Sequence, residues 1–212
     1  MAESAPSSTT VNPLLHRFLN RTDEPLITYT GSRHLEARNE RLNVEASMDI
    51  ATEVGPSGFQ YRVLHESGSD AIRGRVFRPM LEDEVEAFAS GDFTRSSFTA
   101  TNYDLTLAEP SEPGLVKLLA RPKRRDVSLI DGAVYITDTD ADLVRVEGRL
   151  AKSPSFWTKR VDIVKQWARI GGLRVPVRVD STAQIRLAGT STMAMTYQYD
   201  MINGTAVAPA GR

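Results

Sequence analysis

Hydrophobic and polar residues alternate along two stretches near the amino terminus. In residues 27–36, Ile27, Tyr29 and Leu35 lie on one face of the pattern, and polar side chains occupy the other. Residues 42–51 repeat this period of two, which is typical of an antiparallel strand with one face in the core. Gly55–Gly58 predicts a turn before a third strand that begins at Phe59. Together these segments indicate a meander.

Two segments have helical spacing instead. In residues 11–20, Asn12 is placed to cap a short amphipathic helix and Pro13 to occupy its first position. A longer helix, capped by Ser69-Asp70, is predicted to end at Gly91, with a kink or a break at Pro79. Its acidic run, Glu82–Glu86, is expected to be a solvated face.

The rest of the chain returns to strands. Tight reversals are predicted at Ile130-Asp131-Gly132 and at Gly171-Gly172. No strand alternates with a helix of βαβ length, so the pattern indicates a single large sheet that curls and argues against a Rossmann-type sheet. The predicted strands are Tyr103–Leu107, Leu115–Ala120, Ala133–Thr137, Leu143–Leu150, Val161–Ile170, Val175–Ser181, Ala183–Leu187 and Met193–Met201.

Composition narrows the function classes. The 212 residues include 26 basic and 27 acidic side chains, which argues against a chain that is basic throughout, and nucleic acid is not an expected partner. The absence of cysteine excludes disulfides, thiol nucleophiles and cysteine-ligated metals. No apolar run reaches the length of a transmembrane segment, and residues 1–10 lack the features of a signal peptide. We expect a flexible leader over residues 1–10, one domain over 11–204 and a flexible tail over 205–212.

Little in the sequence favours catalysis. The histidines His16, His34 and His65 have no motif around them, and neither a Gly-x-Ser-x-Gly sequence nor a phosphate-binding glycine loop is present. The run Asp138–Asp142 lacks the glycine and the distal glutamate of a calcium loop, so a solvated turn is expected. The basic run Arg121–Arg125 is expected to be an exposed turn, with an anionic head group or a membrane surface as the alternative. We therefore predict no catalytic residue, no metal and no cofactor.

A stripe of methionine and tyrosine is the most distinctive apolar feature. Methionine conforms to irregular volumes, which suits an adaptable apolar cavity, although such a stripe is also typical of an ordinary sheet core. On one face of the last predicted strand the stripe consists of Met193, Met195, Tyr197, Tyr199 and Met201.

The carboxyl-terminal half resembles exported proteins of LolA-like type, which are outer-membrane lipoprotein-sorting or carrier relatives. The similarity spans roughly residues 27–204 and is most specific in residues 145–176. Its Leu-x-Arg-x-Glu-Gly motif puts Arg145 and Glu147 on one face, and its Pro-Ser-Phe-Trp motif forms a turn that two aromatics are expected to anchor. The resembling runs are Leu143–Trp157, Val161–Val164, Gly172–Pro176 and Ala194–Gly204.

The resemblance implies an α+β fold, a half-open antiparallel β-barrel of LolA/LolB type with helices packed on its concave face. It also implies a non-enzymatic periplasmic binding protein that holds lipid acyl chains or a lipoprotein, with a delivery partner at the inner or outer membrane. By the same resemblance, Arg33 is the candidate for holding a lid. The cavity candidates are Met48, Ile50, Ile72, Val76, Met80, Met193, Met195, Tyr197 and Tyr199.

An alternative function remains open. The same fold with a filled core would serve as an envelope scaffold or interaction protein. In that case Arg145 and Glu147 would be fold-keeping cross-strand contacts or partner contacts.

Overall fold

A computed structural model describes residues 12–91, 93–109 and 112–208 of the 212-residue chain. The predicted leader and Val11 lie outside these ranges. Within them, no helix is long and apolar enough to cross a membrane.

The strands form one 11-stranded sheet in which every neighbouring pair is antiparallel. In chain order they are β1 (Tyr29–Asn39), β2 (Val44–Gly55), β3 (Gly58–Gly68), β4 (Tyr103–Leu107), β5 (Leu115–Pro122), β6 (Ile130–Thr137), β7 (Leu143–Leu150), β8 (Thr158–Ile170), β9 (Leu173–Ile185), β10 (Gly189–Ile202) and β11 (Thr205–Ala206). Their order across the sheet is β3-β2-β1-β10-β9-β8-β7-β6-β5-β4, with β11 paired to β10.

Strands β3 and β4 are the two edges of this path, so the curved sheet stays open and does not close into a barrel. The predicted fold class is confirmed, since helices cover one face of a large antiparallel sheet. We call the side to which Leu35, Met48 and Met195 point the inner face, because these buried side chains pack beneath the helices.

The short helix α1 (Pro13–Leu19) begins as predicted. The Asn12 side-chain oxygen accepts hydrogen bonds from the backbone N–H groups of Leu14 and Leu15 at 2.9 and 3.4 Å. These bonds satisfy donors that have no partner within the helix. Phe18 is the buried residue of α1 and packs against the sheet.

The longer helical segment follows β3 and connects the two edges of the sheet. It consists of α2 (Asp70–Ile72), a π-helical turn (Arg73–Phe77) and α3 (Arg78–Ser90) without a break, and we call it the arm. A 3-10 helix (Phe93–Ser96) precedes β4.

Pro79 neither splits nor ends the arm. Proline cannot donate a backbone hydrogen bond, and its ring collides with the carbonyl four residues earlier in a regular α-helix. In the arm that carbonyl lies in the wider π-helical turn, where the N–H of Arg78 bonds to the carbonyl of Arg73, five residues back. The wide turn accommodates the proline and keeps the segment continuous.

Three buried clusters lie along the sheet. The α1 cluster packs α1 against β4–β7, the arm cluster packs the arm against β1, β2, β9 and β10, and the aromatic cluster lies at one end of the central strands. Their largest members are Tyr103, Leu118, Leu129 and Ile136 in the first, Leu35, Met48, Ile50, Phe77 and Leu81 in the second, and Tyr29, Phe59, Val175 and Tyr199 in the third.

Three local expectations differ from the structure. Ile130–Gly132 forms the start of β6 and is not a reversal. The two strands predicted over residues 175–187 are one strand, β9, because Thr182 pairs with both Asp162 and Thr192 in mid-sheet. Thr205–Ala206 pairs with β10 as β11, within the stretch that we expected to be a flexible tail.

Position 132 requires a glycine because two backbones approach closely there, and not because the chain turns. It pairs with Gly148 across β6 and β7. A Cβ atom added to Gly148 would lie 2.7 Å from the Gly132 Cα and would also collide with the Asp131 carbonyl oxygen. The two glycines therefore permit this tight crossing.

We expect Gly148→Ala to destabilise the protein by about 1–3 kcal/mol, because the new methyl group meets backbone that cannot rotate away. Gly74→Ala is the matched control, since a Cβ at Gly74 meets nothing within 4 Å and alanine favours a helix by up to about 1 kcal/mol. Urea unfolding measures both. Equal stability of the two variants would contradict the close crossing.

Candidate functional site

The arm covers the apolar stripe of the inner face. Leu35, Met48 and Ile50 are fully buried beneath it, and Met195 and Val179 extend the stripe across β10 and β9. Among the helical residues Asp70–Ser90, only Phe77 and Leu81 are buried. A broad apolar surface is thus covered by a segment that inserts only two side chains fully.

The structure brings most of the predicted cavity residues together around this contact. Met48, Ile50 and Met195 are buried members of the arm cluster, and Tyr199 is a buried member of the aromatic cluster. Four more pack half-buried against the arm cluster: Ile72, Met80, Met193 and Tyr197.

Two residues leave the predicted face. Val76 is 41% exposed and belongs to none of the clusters, because it lies on the solvent side of the π-helical turn. Met201 is 42% exposed, whereas Ile202 beside it is buried. The register of β1 and β10 shifts between Thr30 and Gly31, opposite this point, so the strict alternation of the stripe ends after Tyr199.

Arg33 joins the sheet to the arm. Its guanidinium donates hydrogen bonds to both carboxylate oxygens of Glu84 on α3, at 2.6 and 2.8 Å, and to the Tyr29 hydroxyl at 2.6 Å. The guanidinium carbon also lies 4.7 Å from the ring centre of Phe59 and 4.6 Å from that of Tyr197. A bidentate ion pair held between aromatic rings fixes the arm in both direction and register.

This cation is almost fully removed from water, since only 4% of Arg33 is exposed. Burial by itself lowers the pKa of Arg33, but the hydrogen bonds and the charge of Glu84 outweigh burial and raise it above its usual value. The remaining nitrogen, Nε, has no hydrogen-bond partner within the described part of the chain. Arg33 therefore depends on the Glu84 carboxylate to offset the cost of burying its charge.

Glu84 is the partner that the sequence pattern missed. The acidic run Glu82–Glu86 predicts a solvated face, and Glu82 and Glu86 are indeed exposed. Glu84 is instead half-buried and lies against Arg33. Its contact joins residues 51 positions apart, which no local pattern reveals.

Tyrosines surround the Arg33–Glu84 pair on the inner face. The rings of Tyr29 and Tyr199 meet edge to face at 5.4 Å, and the Tyr199 hydroxyl donates to the Pro176 carbonyl at 2.7 Å. Burial raises the pKa of Tyr29, Tyr197 and Tyr199, so these hydroxyls stay neutral at physiological pH. They offer an apolar wall with a few fixed donors.

Strand β8 is a central strand without a buried residue. It lies near the middle of the sheet between β9 and β7, yet none of its 13 residues is buried. Ile163 packs against both the arm cluster and the α1 cluster, so both clusters lie on the same face and meet at this strand. The inner side of β8 is therefore a partly open strip between two covered regions. We call it the β8 strip, formed by Val161, Ile163 and Lys165.

The outer face is polar. Arg145 and Glu147 share it as the motif predicts, with Arg145 Nε 3.6 Å from the Glu147 carboxylate. Arg145 also pairs with Glu112, and its guanidinium lies 4.1 Å from the ring centre of Tyr135. These contacts hold the outer face together across strands.

A hollow of about 660 Å³ also lies on the outer face, over β1, β2, β9 and β10. Glu36, Arg38, Arg178 and Asp180 are among the residues that line it. This polar lining differs from the apolar cavity that the sequence predicts.

The two aromatics of the Pro-Ser-Phe-Trp turn do not anchor it. Phe156 is 75% exposed and Trp157 is 59% exposed. Backbone and hydroxyl bonds close the turn instead, including the Ser155–Thr158 hydroxyl contact at 3.0 Å and the bond from the Arg186 N–H to the Trp157 carbonyl at 2.8 Å.

The basic run, the acidic run and His34 each make structural contacts. In the basic run, Arg124 contacts Asn102 and the carbonyl of Arg95, and so ties the segment before β4 to the loop after β5. In the acidic run, Asp142 pairs with Arg169 at 2.6 Å. His34 Nδ1 lies 2.6 Å from Asp49 on the outer face, and within the described ranges no hydroxyl hydrogen-bonds to either of them.

Two solved structures are similar to the chain. A LolA superfamily protein of Nitrosomonas europaea is 13% identical, with 87% of this chain and 90% of that chain covered and a TM-score of 0.40. A putative outer membrane lipoprotein-sorting protein domain of Vibrio parahaemolyticus is 12% identical, with 84% and 88% covered and a TM-score of 0.39. No family model and no curated protein matches the chain. Similarity at this level assigns no role to any residue of this chain.

We expect Glu84→Ala to destabilise the protein by about 3 kcal/mol, because it leaves the Arg33 cation buried without a counter-charge. That value is at the lower end for broken buried pairs, since Glu84 is itself partly exposed. Glu82→Ala on the same helix is the control and should change stability by less than about 0.5 kcal/mol. Urea unfolding measures both variants.

The double variant Arg33→Met/Glu84→Leu separates the lost pair from the orphaned charge. Replacing both partners by apolar side chains should recover most of the stability that Glu84→Ala loses. If Glu84→Ala is no less stable than Glu82→Ala, the pair does not hold the arm.

Proposed function

We propose that the protein is a non-enzymatic carrier that binds lipid acyl chains on the inner face of the sheet, with the arm as its lid. The observation that carries this proposal is the contrast between the two surfaces of the arm contact. The sheet side is a continuous apolar stripe that includes Leu35, Met48 and Met195. The arm packs only two buried side chains, Phe77 and Leu81, against it.

The energies of the closed and loaded states are comparable. Burying Phe77 and Leu81 contributes about 1.5–3 kcal/mol each, or about 3–6 kcal/mol together. An acyl chain gains about 0.8 kcal/mol per buried methylene, so about four to eight methylenes match what these two side chains contribute. A guest of ordinary lipid length can therefore displace the arm from the stripe.

Arg33 and Glu84 serve as the latch of the lid in this proposal. Their bidentate pair is a directional contact that forms only when the arm lies in register on β1. The resemblance to LolA-like proteins extends the proposal to a periplasmic location, a lipoprotein or lipid cargo, and a delivery partner at the inner or outer membrane.

A scaffold with a filled core is the second candidate. The observation in its favour is that Leu35, Met48 and Ile50 have no exposed surface while the arm is in place. If the arm never leaves, the inner face is an ordinary core, and the polar outer face carries the function.

A disulfide lock of the arm distinguishes these functions. A Cβ built on Gly58 lies 3.9 Å from the Phe88 Cβ, close to the usual disulfide value of about 3.8 Å. The chain has no cysteine of its own, so Gly58→Cys/Phe88→Cys introduces the only two thiols. The other end of the arm already follows β3 directly, and the Ser69 N–H bonds to the Glu45 carbonyl at 2.7 Å. The bridge therefore holds both ends on the sheet.

We expect the oxidised variant to bind the fluorescent fatty acid cis-parinaric acid roughly tenfold more slowly or more weakly than its own reduced form, because the stripe stays covered. The reduced form of the same chain is the matched control: Gly58 has a positive φ of 87°, and cysteine is strained there in both redox states. Fluorescence titration with and without a reductant measures the difference. Equal binding by both forms would show that the arm is not a lid, and a wild-type protein that binds no acyl probe would favour the scaffold.

A further inference from the structure

Lys165 is a cation on the inner face that the closed structure does not pair. It lies opposite Val146 on β7 and opposite Val179 on β9. Directly paired residues of antiparallel strands point to the same face, and both valines are buried there. Lys165 therefore points to the inner face, between the α1 cluster and the arm cluster.

The surroundings of Lys165 are apolar. Ile163, two residues earlier on the same face, packs against both clusters. Lys165 is half-buried, and within the described ranges its amine has no hydrogen bond and no ion pair. Burial lowers the pKa of Lys165, and the charge of Glu84 opposes this shift only in part. Both carboxylate oxygens of Glu84 bind Arg33.

The Lys165 amine has no anionic partner in this apolar setting, and an anionic ligand can supply one. A lysine that serves only solubility would be exposed, as Lys159 is at the start of the same strand. Lys165 instead lies half-buried on the inner face, within the β8 strip. Apolar surface on both sides and one cation in the middle match an amphiphile with an acyl chain and an anionic head group.

We propose that the β8 strip is the entry site for an anionic amphiphile, whose carboxylate or phosphate head group pairs with Lys165 while its chain extends along the inner face. This inference rests on the proposed function and names its substrate class. It gives the carrier a preference for acidic lipid over neutral lipid of the same length. Because the charge of Glu84 acts on Lys165, the head group would also lie within the electric field of the Arg33–Glu84 latch.

Isothermal titration calorimetry with three probes that share a twelve-carbon chain tests the proposal. The probes are laurate, dodecyl phosphate and neutral dodecanol, each titrated into the wild type and into Lys165→Met, Lys165→Arg and the surface control Lys159→Met. We expect Lys165→Met to bind both anions roughly tenfold or more weakly and dodecanol unchanged, because a hydrogen bond to a charged group is lost. Lys165→Arg and Lys159→Met should keep the preference for anions, and the tighter anion identifies a free fatty acid or a phospholipid as the source.

The outcomes separate this inference from the proposed function. If Lys165→Met binds all three probes as the wild type does, the head-group site is wrong and the carrier function stands. If the wild type binds none of them, both fall. Should Lys165→Met fail to fold in a thermal melt, Lys165→Gln provides the same loss of charge with a polar side chain, and the same comparison decides.

Discussion

A guanidinium buried among aromatic rings is stable only while a carboxylate lies against it, and the inner face of this protein depends on that condition at Arg33. Phe59 and Tyr197 cover the two sides of the cation, and Glu84 supplies the charge. The aromatic rings come from the sheet, whereas the carboxylate comes from the arm. The buried charge of Arg33 is therefore neutralised only when the arm is in place. This requirement couples a local ion pair to the position of an entire helical segment.

The helices cover the inner face unevenly. The α1 cluster is built from large side chains of α1 and of four strands, which gives a conventional core. The arm cluster takes its large buried side chains mainly from the sheet, and the arm itself adds only Phe77 and Leu81. Where the two clusters meet, β8 stays half-exposed on its inner side. A densely filled core and a thinner helical cover thus share one sheet.

The sequence predicts the parts of this arrangement that are local. Alternation along β1, β2 and most of β10 and the cap at Asn12 follow from periods and side-chain chemistry, and all are present. Gly132 misled the prediction because a glycine that permits a close crossing resembles one that permits a turn. Glu84 was missed because its partner is remote. Lys165 had a readable signal, since it continues the inner-facing positions of Val161 and Ile163, yet a lone lysine in a strand carries no meaning until the face is known.

In the proposed carrier, the charges on the inner face would couple the arm to the choice of guest. Arg33 pairs with Glu84 there, the charge of Glu84 also acts on Lys165, and Glu84 is carried on the arm. An arm that lifts takes the carboxylate with it and leaves two cations against apolar surface, where unpaired charge is strongly disfavoured. A neutral guest would replace only the apolar contacts of the arm and not the negative charge of Glu84. An anionic guest would bring back a negative charge as well as methylenes, so under the proposal the departure of Glu84 would favour an anionic guest over a neutral one.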